Sequence, residues 1–170
     1  MPTVETTQIE EARPEHFGSI AEIYNEYIRL GNATMEEILK VEADIASWVK
    51  KFNDREKLYV LSKSGTCIGW GIIKRYSDRA GYRFTCETAV YLTFSECKKG
   101  YGTLMKKHLI NTCKALEYRH LVAKIFASNK ASIEYNLRLG YTVVGTQREI
   151  GFRNGQWQDV VIMQLLLDHY

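Results

Sequence analysis

Lys98-Lys99-Gly100-Tyr101-Gly102-Thr103 forms a basic, glycine-containing turn between a strand pattern and a helix pattern. The first turn of a helix carries unpaired N–H groups and partial positive charge. Glycines let an anion approach that backbone closely, and two lysines add charge. The turn is a phosphate site in outline; the alternative is an ordinary strand-to-helix loop with a solvated lysine pair. Neither the P-loop nor the dinucleotide fingerprint is present. Glu87 is the second candidate. It falls between Phe84 and Val90 on a strand expected to be central, where an unpaired carboxylate is costly and a positioned one can take a proton. Its alternative is a solvated or ion-paired strand residue. Arg83 carries a guanidinium fork that suits a ligand carboxylate, or a loop acid such as Asp78.

These groups need elements to hold them. Ala89 to Phe94 is β-branched and aromatic, and Tyr82 to Leu92 is expected as one long strand. Arg83 and Glu87 would then share a face, separated by about 13 Å of rise unless a bulge shortens it. From Thr103, Leu104, Met105, Leu109, Cys113 and Leu116 recur at helical spacing. Upstream, Val4 to Glu10 reads as an edge strand, and Pro14 opens a helix that Gly31 stops. Val41 to Phe52 reads as a second helix. Leu58–Leu61 and Cys67–Ile73 read as a hairpin around Ser64-Gly65. Downstream, Leu121 to Ala127 is a near-continuous apolar run, as in a buried strand. Asn129 to Leu139 is helical and ends at Gly140. Two strands around Asn154-Gly155 close the chain. The fold class expected is α/β (α+β): one mixed, mostly antiparallel central sheet flanked by helices, in a single domain over residues 1–170.

Composition narrows the classes. The chain has 170 residues, 45% of them hydrophobic and 25% charged, with a net charge of +3. That charge is too small to argue for nucleic acid, and the lysine-rich turn suits a small polyanion better than a duplex. The four cysteines form no C-x-x-C and have no histidine cluster beside them, so no metal is expected. No apolar leader or run of about 18 apolar residues is seen, so no membrane role is expected and the cytoplasm is the default.

The element order and several motifs together resemble the GCN5-related N-acetyltransferase superfamily, closest to its phosphinothricin and methionine sulfoximine acetyltransferase branch. The motifs are Ile23-Tyr24-Asn25, Tyr82-Arg83-Phe84-Thr85-x-Glu87, Val90-Tyr91-Leu92, Gly100-x-Gly102 and Asn129-x-x-Ser132-Ile133. They continue through Arg138-Leu139-Gly140-Tyr141, Gly145, Arg148-Glu149-x-Gly151-Phe152 and Gly155-x-Trp157-x-Asp159. The resemblance implies acetyl-CoA as co-substrate and a small-molecule amine as acceptor. It implies that Lys98, Lys99, Gly100, Tyr101, Gly102 and Thr103 hold the pyrophosphate. The pantetheine arm would lie along Val90, Tyr91 and Leu92 and meet Asn129. Glu87 would be the general base for an acceptor amine, and Arg83 would bind an acceptor carboxylate. A homodimer is expected. Phe152 and Trp157 are expected in the core or at the dimer contact, with lining of the acceptor pocket as the alternative. Asp159 is expected to fix a local turn.

Two positions depart from the superfamily. Cys97 stands where the phosphate turn usually begins with Gln or Arg. Asn136 stands where Tyr or His commonly meets the leaving thiolate, and Tyr135 beside it points about 100° away on a helix. Rival readings are acetylation of an aminoglycoside, polyamine or protein N-terminus, or a non-catalytic CoA-binding sensor on the same fold.

Overall fold

The computed structural model describes residues 5–168. Val4, where the first strand was expected to open, lies outside the described residues. The strands are β1 (Thr7–Glu11), β2 (Lys57–Lys63), β3 (Thr66–Arg75), β4 (Thr85–Leu92), β5 (His120–Phe126), β6 (Thr142–Arg153) and β7 (Gln156–Leu166). The helices are α1 (Phe17–Leu30), α2 (Glu42–Lys50), α3 (Tyr101–Ala115) and α4 (Lys130–Arg138). One seven-stranded sheet runs in the order β1-β2-β3-β4-β5-β7-β6. Every neighbouring pair is antiparallel except β4 and β5. Among the described residues no helix is long and apolar enough to cross a membrane.

Side-chain alternation sorts the two faces. Leu58, Val60 and Trp70 turn toward α1 and α2, where they pack with Phe17, Ile20, Tyr24 and Ile45. Ile73, Cys86, Leu121, Ala123 and Met163 turn to the other face and pack with Met105, Leu109 and Cys113 of α3. Gly71 lets α3 come close: a Cβ there would stand 2.9 Å from Met105 Cγ and 3.1 Å from Leu109 Cδ1. The two-residue turns Ser64-Gly65 and Asn154-Gly155 have positive φ at both positions, as tight hairpins need. The second turn also closes the end of α1, with Arg153 Nη2 donating to Ile28 O at 2.6 Å and Asn154 Nδ2 to Leu30 O at 3.2 Å. Asp159, expected to fix a local turn, instead reaches across the hairpin to a register shift inside β6: its Oδ1 accepts the Glu149 N–H at 2.7 Å, where Glu149 has φ 51°.

The long strand expected from Tyr82 is not formed. Ala80–Tyr82 is a 3-10 turn, and the strand begins only at Thr85. The ladder decides this. Cys86 pairs with Arg75, the last residue of β3, so residues before Thr85 have no partner strand to extend. Arg75 Nε binds Asp78 at 2.5 Å and Ser77 Oγ accepts the Arg79 N–H at 3.2 Å, which turns the connecting loop.

Candidate active site

Two strands that start together and then part create the site. β4 and β5 pair only over Thr85–Glu87 against His120–Val122. From Thr88 to Leu92, β4 has no β5 partner, and the gap opens into a cleft of about 1070 Å³. One wall is aromatic. Trp70 stacks on Tyr91 with centroids 4.8 Å apart, and Tyr24 meets both rings edge-on or tilted. Val90 and Leu92 alternate with Tyr91 and pack on the α3 side. All three bring an extended backbone along the opening.

The basic turn follows directly. Lys98 has φ 61° and Gly100, the residue before α3, has φ 90°. These left-handed positions bend the chain so that α3 starts with Tyr101, its first turn facing the end of β4. Lys99 reaches Glu96 at 3.2 Å, whereas Lys98 makes no ion pair among the described residues. Cys97 lies 3.7 Å from the Tyr27 hydroxyl, which donates to Leu92 O at 2.5 Å. Asn129 stands just before α4 and its Oδ1 accepts the Ser132 N–H at 3.2 Å. The unpaired β4 edge, the bent glycine turn before α3 and the capped start of α4 are the three places the sequence assigned to an extended, phosphate-bearing arm.

Glu87 lies on the cleft wall where pairing with β5 ends. Its Oε2 meets Lys124 Nζ at 3.2 Å, and its cross-strand neighbour on β3 is Lys74. Arg75 also borders the cleft, held by Glu56 at 2.6 Å. The structure does not bring Arg83 there. Without the expected strand, Arg83 ends the 3-10 turn, donates to Ala80 O at 3.1 Å and lies 4.7 Å from the Phe84 ring. It does not line the cleft, and Asp78 pairs with Arg75 instead. Phe152 and Trp157 are not core residues: they are 52% and 64% exposed and meet edge to face at 5.1 Å.

The cations Lys74 and Lys124 were missed at the sequence level, although Lys124 is the one charge inside the apolar run of β5. A polar group beneath the cleft was missed as well. Lys106, buried on α3, donates to Thr88 Oγ1 at 2.8 Å, and Thr88 Oγ1 lies 3.3 Å from the Tyr141 hydroxyl. The signal was its spacing, next to Met105 and seven residues before Cys113 on the inward stripe. Asn136 is buried, with Nδ2 on Ser132 O at 2.8 Å and Oδ1 unpaired. Tyr135 donates to Gly102 O at 2.5 Å, and burial pushes its phenol well above the ordinary value.

Residues 9–162 match the family described as acetyltransferase (GNAT) domain. A phosphinothricin N-acetyltransferase of Alcaligenes faecalis is 29% identical over 154 residues, covering 89% of this chain and 78% of its own length. An L-methionine sulfoximine/L-methionine sulfone acetyltransferase of Pseudomonas aeruginosa is 28% identical over 168 residues, 96% of each chain. A solved structure of a GNAT superfamily phosphinothricin acetyltransferase from Sinorhizobium meliloti, in complex with AcCoA, aligns with a TM-score of 0.90 at 30% identity. That alignment covers 95% of this chain and 89% of the other.

Proposed function

The chain belongs to the GNAT acetyltransferases and is an acetyl-CoA-dependent N-acetyltransferase; we propose that its acceptor is the α-amino group of a small amino-acid-like compound. Phosphinothricin and methionine sulfoximine or sulfone are the class meant. The observation that carries the reading is the Glu87 carboxylate set between Lys74 and Lys124 on the cleft wall. An α-amino acid brings an ammonium and a carboxylate within one small molecule. Glu87 attracts the first and the lysines attract the second.

Residues 98–103 hold the pyrophosphate of acetyl-CoA through backbone N–H groups of the turn and first helical turn. Val90, Tyr91 and Leu92 pair their backbone with the pantetheine arm along the unpartnered edge of β4, and Asn129 meets the same arm. A protonated amine cannot attack a thioester, so Glu87 takes the proton directly or through one water. A backbone N–H near Val90 stabilises the oxyanion that follows. Lys124 and Lys74 take the acceptor-carboxylate role first expected of Arg83, because they border the cleft. The exposed Phe152–Trp157 pair supports assembly with a second copy, as expected of a homodimer.

The test is a panel of amines incubated with acetyl-CoA while free thiol is followed. Methionine sulfone and methionine sulfoximine are expected to turn over faster than polyamines or aminoglycosides. Preferential turnover of an amine lacking a carboxylate overturns the acceptor class; CoA binding with no turnover of any amine favours a sensor.

A further inference from the structure

Lys106 is 3% exposed, the only buried charged side chain of α3. A buried ammonium is costly unless it is paired, and among the described residues no carboxylate lies within ion-pair distance of it. Its contacts are Thr88 Oγ1 at 2.8 Å and the Tyr141 ring at 4.8 Å. The other groups that face it are the Cys86 thiol from β4 and the Cys113 thiol from α3, with the Glu87 carboxylate acting across the strand. Desolvation dominates and brings the ammonium down to about 8, against the opposing pull of those three groups.

Thr88 links this buried cation to the cleft. Its side chain belongs to the α3 face of β4, yet Thr88 borders the cleft that Glu87 and Tyr91 line from the opposite face. The sheet is open there, because the β4–β5 ladder ends one residue earlier at Glu87. An ammonium has donors and no acceptor. Since Lys106 donates into Thr88 Oγ1, the threonine must send its own hydrogen elsewhere, to Tyr141 or into the opening. The residues of α4 offer no such proton. Asn136 is a carboxamide without an acidic hydrogen, and the Tyr135 hydroxyl is committed to Gly102 O at 2.5 Å.

We propose that Thr88 hands the proton to the departing CoA sulfur and that Lys106, acting through Thr88, positions and refills it. The inference rests on the reading that the thioester lies where β4 and β5 part. As the C–S bond breaks, its electron pair stays on sulfur. The Thr88 hydroxyl gives that sulfur its proton and takes one from the Lys106 ammonium, which becomes neutral. The amine loses two protons by way of Glu87 to water, and Lys106 regains one from water. The balance is one amide, one thiol and one released proton. Thr88 is the catalytic residue of the pair and Lys106 the positioning residue.

The test reads bound CoA as well as turnover. The ultraviolet absorbance of the CoA thiolate is titrated with pH in complexes of the wild type and Lys106→Met. A neighbouring cation favours the thiolate, so the wild-type complex is expected to titrate lower than the variant by ~1 unit or more. Lys106→Met is expected to lower the single-turnover acetylation rate ~10²-fold. It is also expected to remove the alkaline fall of that rate and to leave acetyl-CoA affinity unchanged by calorimetry. Identical thiolate titrations, or an unchanged rate, overturn the relay. If Lys106→Met does not fold, Thr88→Val is expected to lose a comparable share of the rate with CoA binding kept; full activity in it overturns the relay too. A wild type that binds no CoA overturns the site reading along with the relay. Normal wild-type turnover with an indifferent Lys106 overturns the relay alone.

Discussion

A carboxylate between two lysines has two duties to divide. Glu87 is only partly exposed and already meets Lys124 at 3.2 Å, so on the proposed reading an arriving amino acid would exchange partners with a formed ion pair. Its ammonium would replace Lys124 at Glu87, and its carboxylate would take the released lysine. Glu87→Gln is therefore expected to keep acetyl-CoA binding and lower the neutral-pH acetylation rate ~10²-fold or more. The deficit should shrink at high pH, where the amine loses its proton unaided; a full rate at neutral pH removes Glu87 from the mechanism. Lys124→Ala is expected to raise the acceptor KM ~10-fold, the worth of one charge-assisted hydrogen bond, without changing the KM for acetyl-CoA. Arg83→Ala serves as the control, because its guanidinium stays on its own turn, and steady-state kinetics on the three variants check the assignment.

At the level of elements, the join between β4 and α3 is where the proposed cofactor half of the site lies. Gly100 and Gly102 have different duties there. Gly100 has φ 90°, so any side chain at that position strains the turn itself. A Cβ on Gly102 would meet Leu92 Cδ1 at 3.7 Å and the Tyr135 hydroxyl at 3.8 Å, ordinary contacts that leave the fold intact. Gly102→Val is thus the cleaner probe. It is expected to weaken acetyl-CoA binding ~10-fold or more by blocking the phosphate's approach, with little change in Tm. Unchanged affinity by calorimetry in the folded variant would move the phosphate site away from this turn.

For the whole molecule, the buried lysine couples function to stability. Below about pH 8 Lys106 is charged in folded and unfolded states alike, so folding bears the full desolvation penalty. As pH rises from there toward the ordinary lysine value, the folded protein sheds the proton first and the penalty falls away. Each unit by which the fold depresses this group corresponds to ~1.4 kcal/mol. Lys106→Met is accordingly expected to be more stable than the wild type at pH 7, with the gap closing by about pH 10; urea unfolding at the two pH values checks the sign. A more stable but slower variant is the signature of a charge retained for chemistry. Assembly is the other property at this scale: Trp157→Asp is expected to shift a dimer to monomer in sedimentation, since it places a charge in an exposed aromatic pair.

The order of elements was legible in the sequence because it depends on local rules. The helical stripe Met105, Leu109, Cys113, the Ser64-Gly65 and Asn154-Gly155 turns, and the stop at Gly31 each act within a few residues. The place of the basic glycine turn before α3 and of Glu87 on β4 was legible for the same reason, since both follow from local strand and helix signals. What the sequence left undecided depends on partners distant in the chain. Strand propensity ran on through Tyr82, Arg83 and Phe84, but β3 ends at Arg75 and offers them no ladder, so Arg83 turned away. Lys124 met Glu87, and Lys74 came to lie opposite it, only once three strands lay side by side. Lys106 stands beside Lys107 in the sequence, and only the fold sets it against Thr88 and the Tyr141 ring, brought from β4 and from the segment after α4. Periodicity acts along one segment, whereas the environment of a charge is set by whichever segments the sheet brings beside it.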